Sequence, residues 1–295
     1  MIARPDTLSV DVEDWYHLNY DAMAGVERRD FEPRVERNTE RLLALFAEHG
    51  ARATFFFLGS VAEEYPELVR AAAAAGHEIA SHGYAHELVY SQSRDAFRAD
   101  VARSLAILQD LTSAPIRGYR APSWSIRPDR ETPWFYEVLA ELGLAYSASL
   151  FPFTTYLYGD SSAPLGWFRP GDGTMVEVPT TVAEVAGRRM PFSGGFYLRA
   201  LPYTALRWAG RRVHAAGRPV MYYLHPREID PDQPRLKLPR RDALVTYIGL
   251  RGAERKLRRL LRAMPTAPVP IADYLAAEGA LPAHVADAAP ASTGR

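Results

Sequence analysis

Short apolar segments alternate with longer amphipathic ones along most of this chain, and that rhythm constrains the fold more than any other feature. Residues 8–12 (LSVDV) and 53–58 (ATFFFL) are brief and rich in β-branched or aromatic side chains, so they read as strands. The second is apolar throughout, as expected for a strand covered on both faces. Residues 35–49 and 61–75 have helical spacing and stop at Gly50 and Gly76, where glycine suits a C-cap. The pairing recurs in a strand at 77–81 and a helix at 94–111, then a strand at 116–119 and a helix at 133–142, with a strand at 144–147. Residues 151–173, rich in Gly, Pro, Ser and aromatics, read as a long loop on a functional face. A strand at 175–179, a helix at 201–216, a strand at 219–224, a basic helix at 242–264 interrupted near Gly249 and Gly252, and an extended stretch at 269–271 complete the pattern.

Strands alternating with helices argue for a parallel sheet. Seven or so such units, without a glycine-rich phosphate loop after the first strand, favour an α/β fold closed as a distorted (β/α) barrel. The 295 residues, 47% of them hydrophobic, suffice for one such core. No domain boundary is visible, so residues 1–280 read as one catalytic domain, and the Ala/Pro-rich residues 281–295 as a disordered tail.

In such a barrel, reacting groups lie at the C-terminal ends of the strands. Asp11, Glu13 and Asp14 fall at the end of the first strand, His82 and His86 after the third, Arg120 after the fourth, and His225 after the strand ending at Leu224. His82 and His86, four residues apart, would project from one face of a helical turn and share one cation. The chain has no cysteine, so any metal must use His, Asp or Glu. Two imidazoles and one carboxylate leave positions open for water, as in a catalytic site. A cation there would lower the pKa of water from about 15.7 towards about 7. The acidic cluster at 11–14 offers both a third ligand and a general base. His225 can pass a proton to a leaving amine, and Arg120 can pair with the base carboxylate.

Charge and hydropathy exclude other classes. Basic and acidic residues balance at 35 each, but residues 188–262 hold 18 Arg/Lys against 5 Asp/Glu. This is either a solvated Arg-rich surface or one that attracts an anionic substrate or membrane headgroups. No nucleic-acid motif is present. No apolar run fits a signal peptide or a membrane span, so a cytoplasmic protein is expected. A homo-oligomer is compatible with the sequence.

Taken in order, these motifs resemble the polysaccharide deacetylase family, carbohydrate esterase family 4, whose members share the NodB-homology domain. The resemblance spans roughly residues 7–275. It rests on the acidic opening at 8–14, the RATFFFLG segment at 52–59, His82 and His86, the RAPSW segment at 120–124, and Leu224-His225. It implies Asp11 as base, Asp14 with His82 and His86 as metal ligands, and Arg120 orienting the base. It also implies Trp124 as groove wall and His225 as general acid. Because the opening is Asp-x-Glu-Asp, Glu13 stays open as an alternative base or ligand. Strand alternation, which puts Asp11 and Glu13 on one face, keeps that option. Where relatives commonly carry an aspartate, residues 146–149 are Tyr-Ser-Ala-Ser, so a partner of the arginine is expected to be missing. The DVEDW opening and HPREID segment are similar to a subgroup that accompanies exopolysaccharide and exosortase gene clusters.

The resemblance implies a metal-dependent hydrolase removing the N-acetyl group of an amino sugar in a polysaccharide, an oligosaccharide or a precursor. One divalent ion is implied, zinc first, with Co, Ni or Mn alternatives. Two other readings are an allantoinase-like amidohydrolase acting on a small amide and a non-catalytic saccharide-binding barrel.

Overall fold

The structure is a computed structural model and describes residues 4–19, 31–155, 158–171 and 173–281; the expected tail, apart from Leu281, lies outside them. The first half runs β1 (Thr7–Val12), α1 (Val35–Ala47), β2 (Thr54–Phe57), α2 (Gly59–Glu64), α3 (Pro66–Ala74), β3 (Glu78–Ser81), α4 (Arg94–Leu111), β4 (Gly118–Tyr119), α5 (Phe135–Glu141) and β5 (Tyr146–Ser147). The second half runs β6 (Val176–Glu177), β7 (Val182–Val185), β8 (Arg188–Pro191), α6 (Gly195–Ala200), α7 (Tyr203–Ala215), β9 (Met221–Leu224), α8 (Arg240–Tyr247), α9 (Leu250–Ala263) and α10 (Ile271–Ala277).

Seven strands form one parallel sheet in the order β6-β5-β4-β3-β2-β1-β9, and β7 and β8 form a separate antiparallel hairpin. The sheet curls as the barrel reading expects but stays open between β6 and β9. Strand alternation separates two cores. Leu8, Val10, Val12, Phe55 and Phe57 pack outward with α1, α3, α7 and α9. Phe56, Ala80, Tyr146 and Val176 pack on the other side with Ile271, Tyr274 and Leu275 of α10. That helix is pinned to the N-terminal ends of the strands, because the Ile271 amide donates to Thr54 Oγ1 and the Ala272 amide to Glu78 Oε2. The opposite end is left for the site.

Three expectations about elements change. The helix at 61–75 is two helices, because Pro66 starts α3 and cannot continue α2. The basic helix at 242–264 breaks at Gly249, which takes φ 70°, and a Cβ there would sit 2.2 Å from the Arg199 carbonyl oxygen. The stretch at 269–271 is a single bridge from Val269 to Thr7 that leads into α10. The hairpin, α6 and α10 were not visible in the hydrophobic pattern.

Candidate active site

Sheet register builds the site. Val12 pairs with Phe57, Phe57 with Ser81, Ser81 with Tyr119, and Val10 with Leu224. The residues just past β3, β4 and β9 are therefore His82, Arg120 and His225, arriving beside Asp11 and Glu13 at one edge. They surround or back a cavity of about 130 Å³ lined by Asp11, Glu13, His82, His86 and His225.

Glu13, His82 and His86 form the one group among the described residues able to hold a metal, with donor atoms within 4.8 Å of one another. His82 Nδ1 lies 2.7 Å from the Arg120 carbonyl, which makes it the protonated nitrogen and leaves Nε2 free to ligate. Burial pushes the His82 imidazole down to about 4, so it is neutral at pH 7, as a ligand must be. Burial opposes ionisation of Glu13, but the facing His86, His225 and His82 outweigh it and hold its carboxyl well below the usual range. Glu13 Oε2 lies 2.6 Å from His86 Nε2, close enough to share a proton, while His86 Nδ1 is buried without a hydrogen-bond partner. A buried carboxylate facing two imidazole nitrogens is an arrangement in which a cation can take the place of a shared proton. The donor set suits a divalent metal of the zinc type.

Asp14 does not join this group. Its carboxylate accepts from the amides of Trp15 at 2.8 Å, Arg34 at 2.7 Å and Val35 at 3.1 Å, so it caps α1, whose own N-cap residue Arg34 makes no side-chain cap bond. The structure thus sets Asp14 apart from the histidines it was expected to join and puts Glu13 beside them. Asp11 and Glu13 share a face by strand alternation, and Asp14 falls on the other.

His82 and His86 do not lie on a helical turn either. Residues 82–86 form a loop with Gly83 at φ 76° and His86 at φ 59°, left-handed conformations uncommon for histidine. Asp100 of α4 holds the loop by accepting from the amides of Tyr84 and Ala85. The sequence offered no signal for Asp100, because its partners are backbone groups.

Asp11 is paired. Arg120 Nη1 donates to Asp11 Oδ1 at 2.6 Å and to Ser9 Oγ at 2.9 Å, while Nε donates to the Ala148 carbonyl at 3.0 Å. Both side chains are at most 3% exposed, where an unpaired charge would cost several kcal/mol. The arginine is therefore not left without a partner from this segment: residues 146–149 supply the Ala148 main-chain carbonyl in place of the aspartate side chain that the sequence lacks. Ser149 Oγ accepts from the Ala121 amide, and the buried Glu177 accepts from the Ser149 and Leu150 amides, which fixes the segment.

His225 Nε2 stands 3.8 Å from Asp11 Oδ2 and 3.7 Å from Glu13 Oε1. Its Nδ1 lies 3.1 Å from Glu228 Oε1, and Glu228 forms a short ion pair with Arg199. Arg199 is anchored in turn by the carbonyls of Val245, Thr246 and Ile248 at the end of α8. Burial lowers the His225 pKa, but Glu13 and the Glu228 hydrogen bond more than offset it, so the net direction is upward. Glu228 and Arg199 were not anticipated; the HPREID segment carried Glu228 without a role.

Trp124 contributes to the cavity wall, 4.5 Å from Tyr223 between ring centroids and packed with Phe151 and Tyr158. His17, whose Nδ1 accepts from the Asp14 amide, also lines the cavity.

Comparison with known proteins bears on this geometry. A peptidoglycan deacetylase from Helicobacter pylori is 30% identical over 154 residues, 47% of this chain and 51% of that protein. A chitooligosaccharide deacetylase from Sinorhizobium fredii is 38% identical over 85 residues, 28% of this chain and 40% of that protein. The chain thus spans about half the length, or less, of these curated relatives. Among solved structures, a candidate polysaccharide deacetylase from Mycobacterium smegmatis shares the fold at a TM-score of 0.58 and 21% identity, over 97% of this chain and 96% of that one. A variant of a CE4 family pseudoenzyme from Bacillus anthracis aligns at a TM-score of 0.50 and 13% identity, over 93% of this chain and 68% of that one, so the fold alone does not decide activity. Residues 15–146 match the polysaccharide deacetylase family model, and residues 148–269 match a domain of unknown function, DUF3473. Residues 15–146 therefore belong with the polysaccharide deacetylase family and residues 148–269 with DUF3473, and strands from both segments, with β1 ahead of them, make up the one open sheet.

Proposed function

We propose that this protein is a metal-dependent deacetylase that hydrolyses the N-acetyl group of an amino sugar within a saccharide. The observation that carries the reading is the meeting, in one cavity, of a Glu/His/His donor set with an arginine-paired aspartate and a carboxylate-paired histidine. Glu13, His82 and His86 would hold the metal, zinc being the ion that best suits two imidazoles and a carboxylate. When bound, such an ion polarises a carbonyl and acidifies water.

The side chains supply the rest. Asp11, fixed through Oδ1 by Arg120, keeps Oδ2 towards the cavity and takes a proton from the attacking water. The water oxygen joins the acetyl carbon as the carbon–nitrogen bond breaks. His225, held through Nδ1 by Glu228, gives the proton on Nε2 to the departing nitrogen, so the products are acetate and a free amine. The upward shift of His225 favours the protonated form that this task requires. Trp124, Tyr158 and Tyr223 offer ring faces to a sugar.

The test is acetate release from N-acetylglucosamine oligomers with and without chelator. Release that is lost on chelation and restored by zinc supports the reading. A cavity of about 130 Å³ also suits a small cyclic ureide, so allantoin belongs in the same assay; turnover of allantoin alone would replace the saccharide with that substrate.

A further inference from the structure

Three carboxylates face the cavity, and each is engaged. Asp11 is held by Arg120, Glu13 faces the imidazoles of His82 and His86, and Glu228 is shared by Arg199 and His225. One cation of the wall is left over. Arg227 lines the cavity two residues beyond His225. Its Nε and Nη1 are buried and have no hydrogen-bond partner, and no carboxylate among the described residues pairs with it. Arg199, its neighbour in the wall, has every nitrogen satisfied.

The position of Arg227 is fixed by its backbone. The residue lies in a 3-10 turn over Pro226–Ile229, and its carbonyl accepts from the Asp230 amide and from Gln233 Nε2, both at 3.2 Å. The turn therefore presents one guanidinium to the mouth of the site, where it feels the charge of Glu228 but forms no ion pair or hydrogen bond through Nε or Nη1 among the described residues. Buried N–H donors that lack acceptors destabilise a fold unless something else supplies the acceptors. A carboxylate or phosphate does so with charge-assisted bonds in the planar geometry that arginine favours. The excess of basic residues over 188–262 adds a long-range field of the same sign.

We propose that Arg227 is an anion-binding residue of the substrate site, and that the saccharide carries a negative charge on or next to the N-acetylated sugar. The substrate is thus an anionic saccharide rather than a neutral N-acetylglucosamine polymer. The inference rests on the deacetylase reading for the sugar but not for the anion. The charge could be a uronate carboxylate in a chain or a phosphate on an activated sugar, and one experiment separates these.

The full chain is titrated calorimetrically with three ligands: the neutral N-acetylglucosamine dimer, a glucuronate–N-acetylglucosamine dimer and UDP-N-acetylglucosamine. Acetate release is followed in parallel. At least one anionic ligand should bind about tenfold or more tightly than the neutral dimer, the scale of a charge-assisted contact, and the tighter of the two names the source of the charge. Arg227→Gln should reduce that preference to near unity, whereas Arg188→Gln, an exposed arginine of β8, should retain it. Because no ion pair or hydrogen bond among the described residues holds the Arg227 Nε and Nη1, Arg227→Gln should melt no lower than the parent, which a structural arginine would not permit. Equal binding of neutral and anionic ligands, or a preference that survives Arg227→Gln, overturns the proposal. An anion preference without acetate release from any ligand keeps the Arg227 site and refutes the deacetylase reading instead.

Discussion

Replacing Glu228 by glutamine separates the orientation of the general acid from the rest of the site. Glu228 is 1% exposed and bridges His225 Nδ1, at 3.1 Å, to Arg199. Glutamine keeps the shape and removes the charge. Arg199 would retain its bonds to Ile248, Val245 and Thr246 at 2.7, 2.9 and 3.2 Å. The stability loss should therefore fall below the roughly 3–5 kcal/mol seen when a buried pair is fully broken. Catalysis should suffer more selectively. A general acid contributes about 10²–10⁴ in rate, and loss of the partner that orients a site histidine costs on the order of 10–100-fold. We expect Glu228→Gln to lower kcat for acetamide cleavage by about 10–100-fold with little change in KM. The discriminating assay uses an aryl acetate, whose phenolate departs without needing a proton. There the loss should stay within about threefold, since the missing step is not required. Equal losses on amide and ester would mean that Glu228 only supports the fold, and no loss on the amide would remove His225 from the proton-donor role.

Other perturbations give separate tests. Asp14→Ala should cost about 1–2 kcal/mol through loss of the α1 cap, read as a lower urea midpoint, with metal content unchanged; loss of metal would restore Asp14 as a ligand. Gly195→Ala should impair turnover without loss of metal, because a Cβ there meets Glu228 Oε1 at 2.5 Å and displaces the carboxylate that holds His225; unimpaired acetate release would count against the Glu228 contact. His77 is held neutral, its pKa lowered to about 4 by burial and then by Arg52, and its Nδ1 accepts from the Ala53 amide. Its folded pKa lies below its ordinary one, so its contribution is complete above pH 6.5 and is lost as pH falls towards 4. The loss should reach roughly 2–3 kcal/mol. Denaturation curves at pH 7 and pH 4.5 should differ less for His77→Gln than for the parent, and an equal difference would refute the assignment.

The strand ends were legible because two signals coincided there: an apolar β-branched run followed at once by a polar residue. That pattern located Asp11, His82, Arg120 and His225 without any contact information. Glu13 against Asp14 shows where family likeness and periodicity diverge. The likeness to the first deacetylase motif favoured Asp14, whereas the two-residue alternation of β1 put Glu13 with Asp11, and the alternation agrees with the geometry. Glu228, Arg199 and Asp100 were not legible. Each acts through a neighbour brought near by tertiary packing, and two of the three also engage backbone groups that leave no mark in a side-chain pattern. α10 escaped for a similar reason: its seven residues are too few to show a helical period.

Metal content measured alongside acetate release, for the parent and for Glu13→Gln, tests the central claim most directly. The account predicts one divalent ion per parent chain, acetate release from an N-acetylated saccharide that chelator abolishes and zinc restores, and loss of both ion and release in Glu13→Gln. Acetate release that persists in chelator, or a Glu13→Gln protein that keeps its metal, would contradict it.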